Sequence, residues 1–326
     1  MNACWEDIFS AHIENWGERY CWELNQDHVV FKRGKEKKLE SDYRRLSKVC
    51  EQLYKKSAYL VNIVATDERL LEDGCFKLYY VFSRDADDHF LILEYPLGEY
   101  TPAGGESREH SLSDYLPDGR AYPSIREAFA AAIPFEREIF DLFDLAAVVV
   151  SASGKVSSID SLLETVSGRF LLHSPYPPRL APLEIGKKVG DIQREIEEYE
   201  SPVREAGSKK YGEVILPVGP IHAGVIEAGH FAFHITSEVI DDVQIQLGFK
   251  HRGIEKLFQT KFSLLDGWQL AEKVSGDSSF SHSLAYCHAV EALAHIEPPM
   301  KAVWLTSKLA LLIVYTPIAQ NMRIAG

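Results

Sequence analysis

Residues 274–291, VSGDSSFSHSLAYCHAVE, constrain the fold of this chain more than any other segment. A turn of small residues comes first, and the run after it predicts a helix from Phe280 onward. Asp277, Ser278 and Ser279 are residue types that accept the unpaired N–H groups at a helix start. Apolar residues leave little of the helix polar, which is typical of a helix buried in a bundle. The segment therefore predicts a capped, buried helix.

Length and composition indicate a globular protein of more than one domain. At 326 residues, with 46% hydrophobic and 25% charged residues, the chain is long enough for two domains with their own cores. The net charge of −13 argues against a nucleic-acid partner, since phosphate binding needs clustered cations.

Cysteine spacing and hydropathy indicate in which cellular compartment the protein is found. The five cysteines are widely scattered without any CxxC pair, which suits a reducing compartment and excludes a recognisable zinc or iron–sulfur motif. The N-terminus does not read as a signal peptide, and the longest apolar run, residues 309–315, falls far short of the roughly 20 residues of a membrane span. We expect a soluble, cytoplasmic protein that reaches a membrane only through partners.

The first half of the chain alternates between strand and helix patterns. A helix pattern covers residues 2–15, and a second amphipathic helix begins at Ser41, with Leu46, Val49 and Leu53 at helical spacing. Strand patterns are present at residues 20–24, 28–31, 59–65, 76–83 and 89–97. The stretch 101–109 is interpreted as a loop. This order predicts an α+β domain.

Residues 135–145, FEREIFDLFDL, carry the first informative motif. The pattern predicts a short helix with Ile139, Phe140 and Phe143 inward and Glu136, Arg137 and Glu138 outward. It resembles the Glu-Arg-Glu-x-x-Asp-Leu-Phe-Gly signature of the 30 kDa subunit of complex I and its hydrogenase counterparts. Asp144 stands where that family usually has glycine, so the turn after the helix is open to differ. A loose match to the family's tail follows at residues 169–183, which in that family reaches onto the neighbouring large subunit.

The second motif follows a charged helix at residues 190–204, which is interpreted as a linker. Residues 231–235 and 243–249 alternate in polarity and predict two half-buried strands. The text GPIHAGVIEAGHFAF…LGFKHRGIEKLF is similar to the first β-segment of the large subunits of hydrogenases and the 49 kDa subunit of complex I. The matching positions are Gly219, Pro220, His222, Glu227, Gly229, Phe231, Gly248, His251, Arg252, Gly253, Glu255 and Lys256.

The segment 274–291 resembles the same family. Energy-converting (group 4) nickel–iron hydrogenases carry Cys-Gly-x-Cys in the turn, and here Ser275 and Ser278 occupy the two cysteine positions. The positions that match are Gly276, His282, Ser283, Ala285, Tyr286, Val290 and Glu291. A nickel–iron centre needs four thiolate ligands, and a serine hydroxyl is too hard and too weakly acidic to replace them. The family's second cysteine pair belongs to sequence beyond Gly326, so we expect no metal bound by this chain.

The resemblance implies a candidate pocket formed by His222, Asp277 and His282. In complex I this pocket accepts a quinone head group held by a histidine and a tyrosine; His222 matches the histidine, and no tyrosine stands near Ser275. His222 either donates a proton to a quinone or has a structural role that stabilises a turn. Asp277 either caps the helix or lines the pocket.

Two further groups of polar residues are candidates. His251, Arg252 and Glu255 form either a network that faces an iron–sulfur partner or a structural ion pair that closes a strand-to-helix turn. His288, Glu291 and His295, at i, i+3 and i+7, would share one helix face, but one helix supplies too few metal ligands. The residues after 308 are apolar where the family has charged residues in a helix. Either the sequence of this helix has changed in this branch, or the chain is a truncated form of the helix bundle. A truncated bundle would expose an apolar face and favour self-association.

These observations predict an α+β protein with a 30 kDa-like domain (1–185), a charged helical linker (186–210) and the first part of a domain like the 49 kDa large subunit (211–326). The resemblance, to the formate hydrogenlyase and hydrogenase-4 type of fused subunit, implies a peripheral electron-transfer-coupling subunit of a membrane-bound oxidoreductase. Its partners would be an iron–sulfur small subunit and membrane ion-translocating subunits. A quinone is the favoured acceptor, and iron–sulfur clusters and NAD would belong to partner subunits. The alternatives are a non-catalytic scaffold and, against the ligand chemistry, a nickel–iron hydrogenase subunit.

Overall fold

The computed structural model describes residues 20–22, 28–31, 39–72, 74–85, 90–98, 119–150, 156–158, 176–177, 179–199, 213–220, 228–246 and 249–309. The chain divides into two compact units, residues 1–250 and residues 251–326. Helices combine with three β-sheets, which confirms the predicted α+β class. The helix predicted at 2–15 and the loop predicted at 101–109 lie outside the described residues.

A five-stranded sheet in the order β1-β2-β5-β4-β3 forms the centre of the first unit. All neighbours are antiparallel except β2 and β5, which are parallel. The strands are β1 (Tyr20–Trp22), β2 (His28–Phe31), β3 (Tyr59–Asp67), β4 (Phe76–Ser83) and β5 (Leu91–Pro96). The polarity patterns therefore predicted all five strands.

The core of the first unit lies on one side of this sheet. Helix α1 (Leu39–Lys55) contributes Leu46, Val49 and Leu53, which are buried as their spacing predicted. The sheet contributes fully buried large side chains, namely Leu78, Tyr80, Phe82, Leu91, Leu93 and Tyr95. Helix α1 begins at Leu39, so Ser41 lies in its first turn and does not cap it.

A second, smaller sheet in the order β6-β7-β8 joins this core. Its strands are β6 (Ala121–Pro123), β7 (Ala146–Val150) and β8 (Val156–Ser158), and β6 and β7 are parallel. A parallel pair needs a crossover, and helix α2 (Ala132–Phe143) lies between the two strands in sequence. The motif helix is therefore part of the core and packs against β3 and β7.

The predicted orientation of α2 is correct for its apolar residues and wrong for Glu136. Ile139 and Phe143 are buried and Phe140 is half-buried. Glu136, expected to point outward, is 0% exposed. Its carboxyl group accepts hydrogen bonds from Ser124 Oγ to Oε2 at 2.9 Å and from the Ile125 backbone N–H to Oε1 at 3.0 Å. A buried polar group is tolerated when it is hydrogen-bonded in this way.

The turn after α2 keeps the conformation that glycine favours although Asp144 occupies it. Asp144 has φ 56° and ψ 38°, in the left-handed region. Its buried carboxylate accepts a hydrogen bond from Arg179 Nε at 2.8 Å, and Arg120 Nη1 lies 3.6 Å away. Asp144 in place of the family's glycine thus changes the electrostatics of the turn, while the backbone keeps the conformation that glycine favours.

Residues 179–187 pack back onto the α+β domain. Leu180, Ala181 and Leu183 are buried, and the Leu183 N–H donates to the Leu142 carbonyl at 3.0 Å. The Ile185 N–H donates to Asp67 Oδ2 at 2.8 Å. Glu184 pairs with both Arg69 and Arg120. Within the described residues, this part of the predicted tail is held by its own domain; residues 169–175 lie outside them.

Helix α3 (Val189–Glu198) starts where the linker helix was expected and ends earlier than residue 204. None of its residues is buried. That exposure is compatible with a linker, which stays a prediction.

A three-stranded antiparallel sheet in the order β11-β10-β9 follows. Its strands are β9 (Glu213–Val218), β10 (His230–Thr236) and β11 (Val239–Gln246). The two predicted strands are present, although the second is Val239–Gln246 and Phe249 lies in a turn, and β9 was not predicted. The pairing register puts nine apolar residues on one face: Val214, Leu216, Val218, Phe231, Phe233, Ile235, Ile240, Val243 and Ile245. Among the described side chains of these strands only Ala232, on the opposite face, is buried.

The described part of the second unit is helical. It contains α4 (Ile254–Thr260), α5 (Gly267–Ala271), a 3₁₀ turn (Gly276–Ser278), α6 (Ser279–Leu293) and a helical stretch at residues 300–309. Helix α6 begins at Ser279, one residue before the predicted start at Phe280. The expectation that it is buried is wrong for this structure, since none of its residues is buried and Leu293 is 74% exposed. In the part of the chain that is described, no helix has the length and apolar character to cross a membrane.

Candidate functional site

The turn before α4 holds three of the predicted site residues. Gly253 is the N-cap of α4 and adopts the left-handed conformation, with φ 62° and ψ 41°. His251 is half-buried, whereas Arg252 and Glu255 are exposed. The left-handed glycine redirects the chain into α4 at this point.

Arg252 connects this turn to the segment that precedes residues 275–278, which are called the serine turn below. Its Nη2 donates to the carbonyl oxygen of Val274 at 3.0 Å and to that of Lys273. Basic side chains often donate hydrogen bonds to the unpaired carbonyls near the C-terminus of a helix, and Arg252 does so just after α5. The structure thus brings Arg252 to within two residues of Ser275, although the sequence placed them in separate groups. The acceptors of both hydrogen bonds are main-chain carbonyls.

The serine turn is held by backbone and hydroxyl contacts. The Ser278 N–H donates to the Ser275 carbonyl at 3.2 Å, and Ser279 Oγ donates to the Gly276 carbonyl at 3.0 Å. Ser275 and Ser278 are the N-cap residues of the 3₁₀ turn and of α6, and neither makes a side-chain cap hydrogen bond. The side-chain cap predicted at Ser278 is therefore absent.

The predicted pocket residues are only partly described. Asp277 is exposed within the 3₁₀ turn, and His282 is half-buried in the first turn of α6. His222 lies outside the described residues, so the three-residue pocket stays a prediction. The two described members lie on either side of the start of α6.

Tyr286 is a site-forming residue whose role the sequence did not reveal. Its ring stacks on Phe258 with centroids 5.6 Å apart and planes 16° from parallel. Its hydroxyl donates to the Leu264 carbonyl at 2.7 Å. A Cβ on Gly267 would lie 2.2 Å from the tyrosine Oη. Tyr286 therefore ties α6 to α4 and α5, and its match to the family, beside Ala285, was the available signal.

The described donors do not fit a nickel–iron centre. Ser275 and Ser278 offer hydroxyls where thiolates are required. Cys287, half-buried on α6, is a single thiol. Across residues 249–309 and the other described ranges, no three His, Cys, Asp or Glu side chains gather into a group that could hold a metal ion.

The prediction that His288, Glu291 and His295 share one helix face is wrong for His295. Helix α6 ends at Leu293, and His295 follows it in a left-handed conformation with φ 53°. The Ile296 N–H donates to the Glu291 carbonyl at 2.9 Å and the His295 N–H to the Ala292 carbonyl at 3.1 Å. This pair of bonds is a Schellman C-cap, so His295 is not on the helix face.

Comparison with curated proteins identifies relatives of one kind. The chain is 29% identical over 264 residues to formate hydrogenlyase subunit 5 of Escherichia coli K12, covering 79% of this chain and 40% of that protein. It is 28% identical over 254 residues to hydrogenase-4 component G of the same organism, covering 76% and 39%. It is 33% identical over 93 residues to an NADH-quinone oxidoreductase subunit of Salinibacter ruber, covering 28% and 20%. The chain thus spans about two fifths of the first two relatives, and it matches no protein-family model.

Proposed function

Because the chain belongs to the family of fused large subunits found in formate hydrogenlyase and hydrogenase-4, and is related in part to a complex I subunit, we propose that it is a peripheral electron-transfer-coupling subunit of a membrane-bound oxidoreductase. The observation that carries this proposal is the serine turn. It keeps the family's place before α6 while Ser275 and Ser278 replace the metal-binding thiols. The subunit therefore works without a nickel–iron centre.

The partners are those that a subunit of this kind requires. Electrons come from an iron–sulfur small subunit, and membrane subunits translocate ions. The chain joins the membrane through these partners at the inner face of the cell membrane. Any NADH is oxidised by another subunit, because this sequence has no nucleotide-binding fingerprint.

The acceptor that we propose is a quinone-type molecule, for which His222, Asp277 and His282 are the candidate residues. Histidine is suited to proton transfer to a reduced quinone, since its usual pKa lies in the physiological range. The relative from Salinibacter ruber is named for quinone as its acceptor, which supports this assignment. Half-burial of His282 at the start of α6 is compatible with a role at the edge of a pocket.

A scaffold role is the second candidate, and Arg252 is the observation that favours it. The sequence left open for this side chain either a network that faces an iron–sulfur partner or a structural ion pair, and it donates to the carbonyls of Lys273 and Val274. A residue engaged in this way positions a turn and needs no ligand. In that case the protein assembles the complex and binds no acceptor.

Quinone titration of the complex, purified from its own host with its partners, distinguishes the two roles. The variants are His222→Ala and His282→Ala, and the matched control is His288→Ala, an exposed histidine on the same helix α6. We expect the quinone concentration at half-maximal rate to rise about tenfold or more in the first two, as a lost hydrogen bond to a ligand implies, and to be unchanged in the control. A fully assembled complex in which none of the three variants changes quinone turnover contradicts the quinone proposal and supports the scaffold.

A further inference from the structure

Helix α3 (Val189–Glu198) is a surface helix that the proposed function does not yet use. It is 10 residues long, and none of its residues is buried. In the described part of the chain, no helix or strand packs extensively against it. Isolated helices of this length are only marginally stable in water, because most helices in proteins are stabilised by packing of an apolar face. Helix α3 therefore lacks, among the described residues, the packing that such a helix needs.

The apolar residues of α3 form one stripe. Val189, Ile192 and Ile196 are at i, i+3 and i+7, which places them on the same face of the helix. Val189 is 50% exposed, and Ile192 and Ile196 are half-buried. Apolar anchors at this spacing are typical of a helix that binds in a groove of another protein. The stripe therefore has the geometry of a docking helix.

Acidic residues border this stripe. Helix α3 carries four acidic residues against one basic residue, a net charge of −3. By the helical period, Glu195 lies along one side of the stripe and Glu197 along the other, and both are exposed. Glu197 and Glu198 also occupy the last turn, which has no basic residue, so their charge opposes the negative end of the helix dipole. A basic surface beside the stripe would offset this unfavourable interaction.

The start of α3 is fixed to the α+β domain. Lys187 donates a hydrogen bond to the carbonyl oxygen of the buried Leu180, and its Nζ lies 2.9 Å from Glu195 Oε2. The Ile192 N–H donates to the Lys188 carbonyl at 3.1 Å, so the helix begins immediately after this anchor. A helix that is held in place before it binds loses less conformational freedom on binding.

We propose that α3 docks, through Val189, Ile192 and Ile196, into an apolar groove rimmed by lysine or arginine side chains on a partner subunit. The docking rests on the proposed function, membership of a multi-subunit complex, and gives that complex one of its contacts. Opposite charges at the rim favour such a partner over other occupants. A second copy of α3 would bring the same acidic rim. Anionic lipids would also repel it, since helices that bind membranes carry basic residues on their polar face.

Carbodiimide cross-linking of the complex, purified from its own host with its partners, tests this docking because it joins carboxylates to neighbouring lysines. We expect Glu195 and Glu197 to be joined to lysines of a partner subunit. The amides of residues 189–198 should exchange about tenfold more slowly in the complex than in the chain expressed alone. Ile196→Gln, which removes a central apolar anchor, should abolish this protection. Arg194→Gln, an exposed residue on the opposite face of α3, is the matched control and should keep it.

A fully assembled complex in which α3 exchanges as fast as in the isolated chain overturns the docking and leaves the proposed function standing. Cross-links from α3 only to lysines of its own chain, or only to a second copy, overturn it as well. Equal protection in Ile196→Gln and in the unmodified complex contradicts the role of the stripe. A chain that its host yields without any partner overturns the proposed function and the docking together.

Discussion

At the scale of single residues, Gly267 shows how closely the helices of the second unit approach. The Tyr286 ring occupies the space that any side chain at position 267 would need, with Cζ 2.4 Å and Oη 2.2 Å from the place of a Cβ. The same tyrosine stacks on Phe258 and bonds to the Leu264 carbonyl. An added methyl group must therefore displace a side chain that holds three elements together.

Gly267→Ala is expected to lower the free energy of unfolding by about 1–3 kcal/mol, the usual cost of overpacking. The matched control is Gly276→Ala in the serine turn, where a Cβ would meet nothing within 4 Å. Chemical denaturation followed by tryptophan fluorescence measures both. In a Tyr286→Ala background the cost of Gly267→Ala should largely vanish, and an equal cost in that background would contradict the contact.

Single residues were predicted well where spacing alone decides burial. Leu46, Val49 and Leu53 share one helix face, so their burial follows from the 3.6-residue period. Glu136 was assigned outward because it is charged. Its burial depends on a backbone N–H at Ile125, eleven residues earlier, whose direction no side-chain pattern encodes.

At the scale of elements, Arg252 fixes the relation of the turn before α4 to the end of α5. Its two hydrogen bonds reach the carbonyls immediately before the serine turn. Glu255, one turn further along and assigned to the same predicted network, is exposed. Of these two residues, Arg252 is therefore the one that holds the turn before α4 to the end of α5.

Arg252→Ala should increase local opening of residues 273–276, at a cost of about 1–2 kcal/mol for the lost hydrogen bonds. Amide exchange of a peptide spanning residues 270–280 measures this opening. Glu255→Ala is the control and should leave that exchange unchanged. An equal effect of both substitutions would mean that the residues act as one coupled network, one of the two alternatives that the sequence left open.

Elements with clear polarity patterns were predictable, and those shaped by local backbone chemistry were not. Strand β9 was missed because EVILPV has no polar alternation and contains Pro217, which normally argues against a strand interior. The end of α6 was placed too late, although Pro298 and Pro299 were a usable stop signal. The left-handed His295 that completes this cap has no signature in the sequence.

At the scale of the whole molecule, exposed apolar residues stand out in the described part of both units. In the first unit they include the nine-residue face of the three-stranded sheet, where Val214 is 62% exposed. In the second unit they include Leu293 of α6, which is 74% exposed, and Trp304, which is 57% exposed. Apolar patches of this kind are typical of interaction surfaces. They support the proposal that the chain acts inside an assembly.

The central claim is that this subunit works without a nickel–iron centre, because Ser275 and Ser278 replace the thiolates. Elemental analysis of the protein, purified from its own host with its partners attached, tests it most directly. Iron from the partner subunits without nickel is the predicted result. Nickel in stoichiometric amount with this chain would contradict the account.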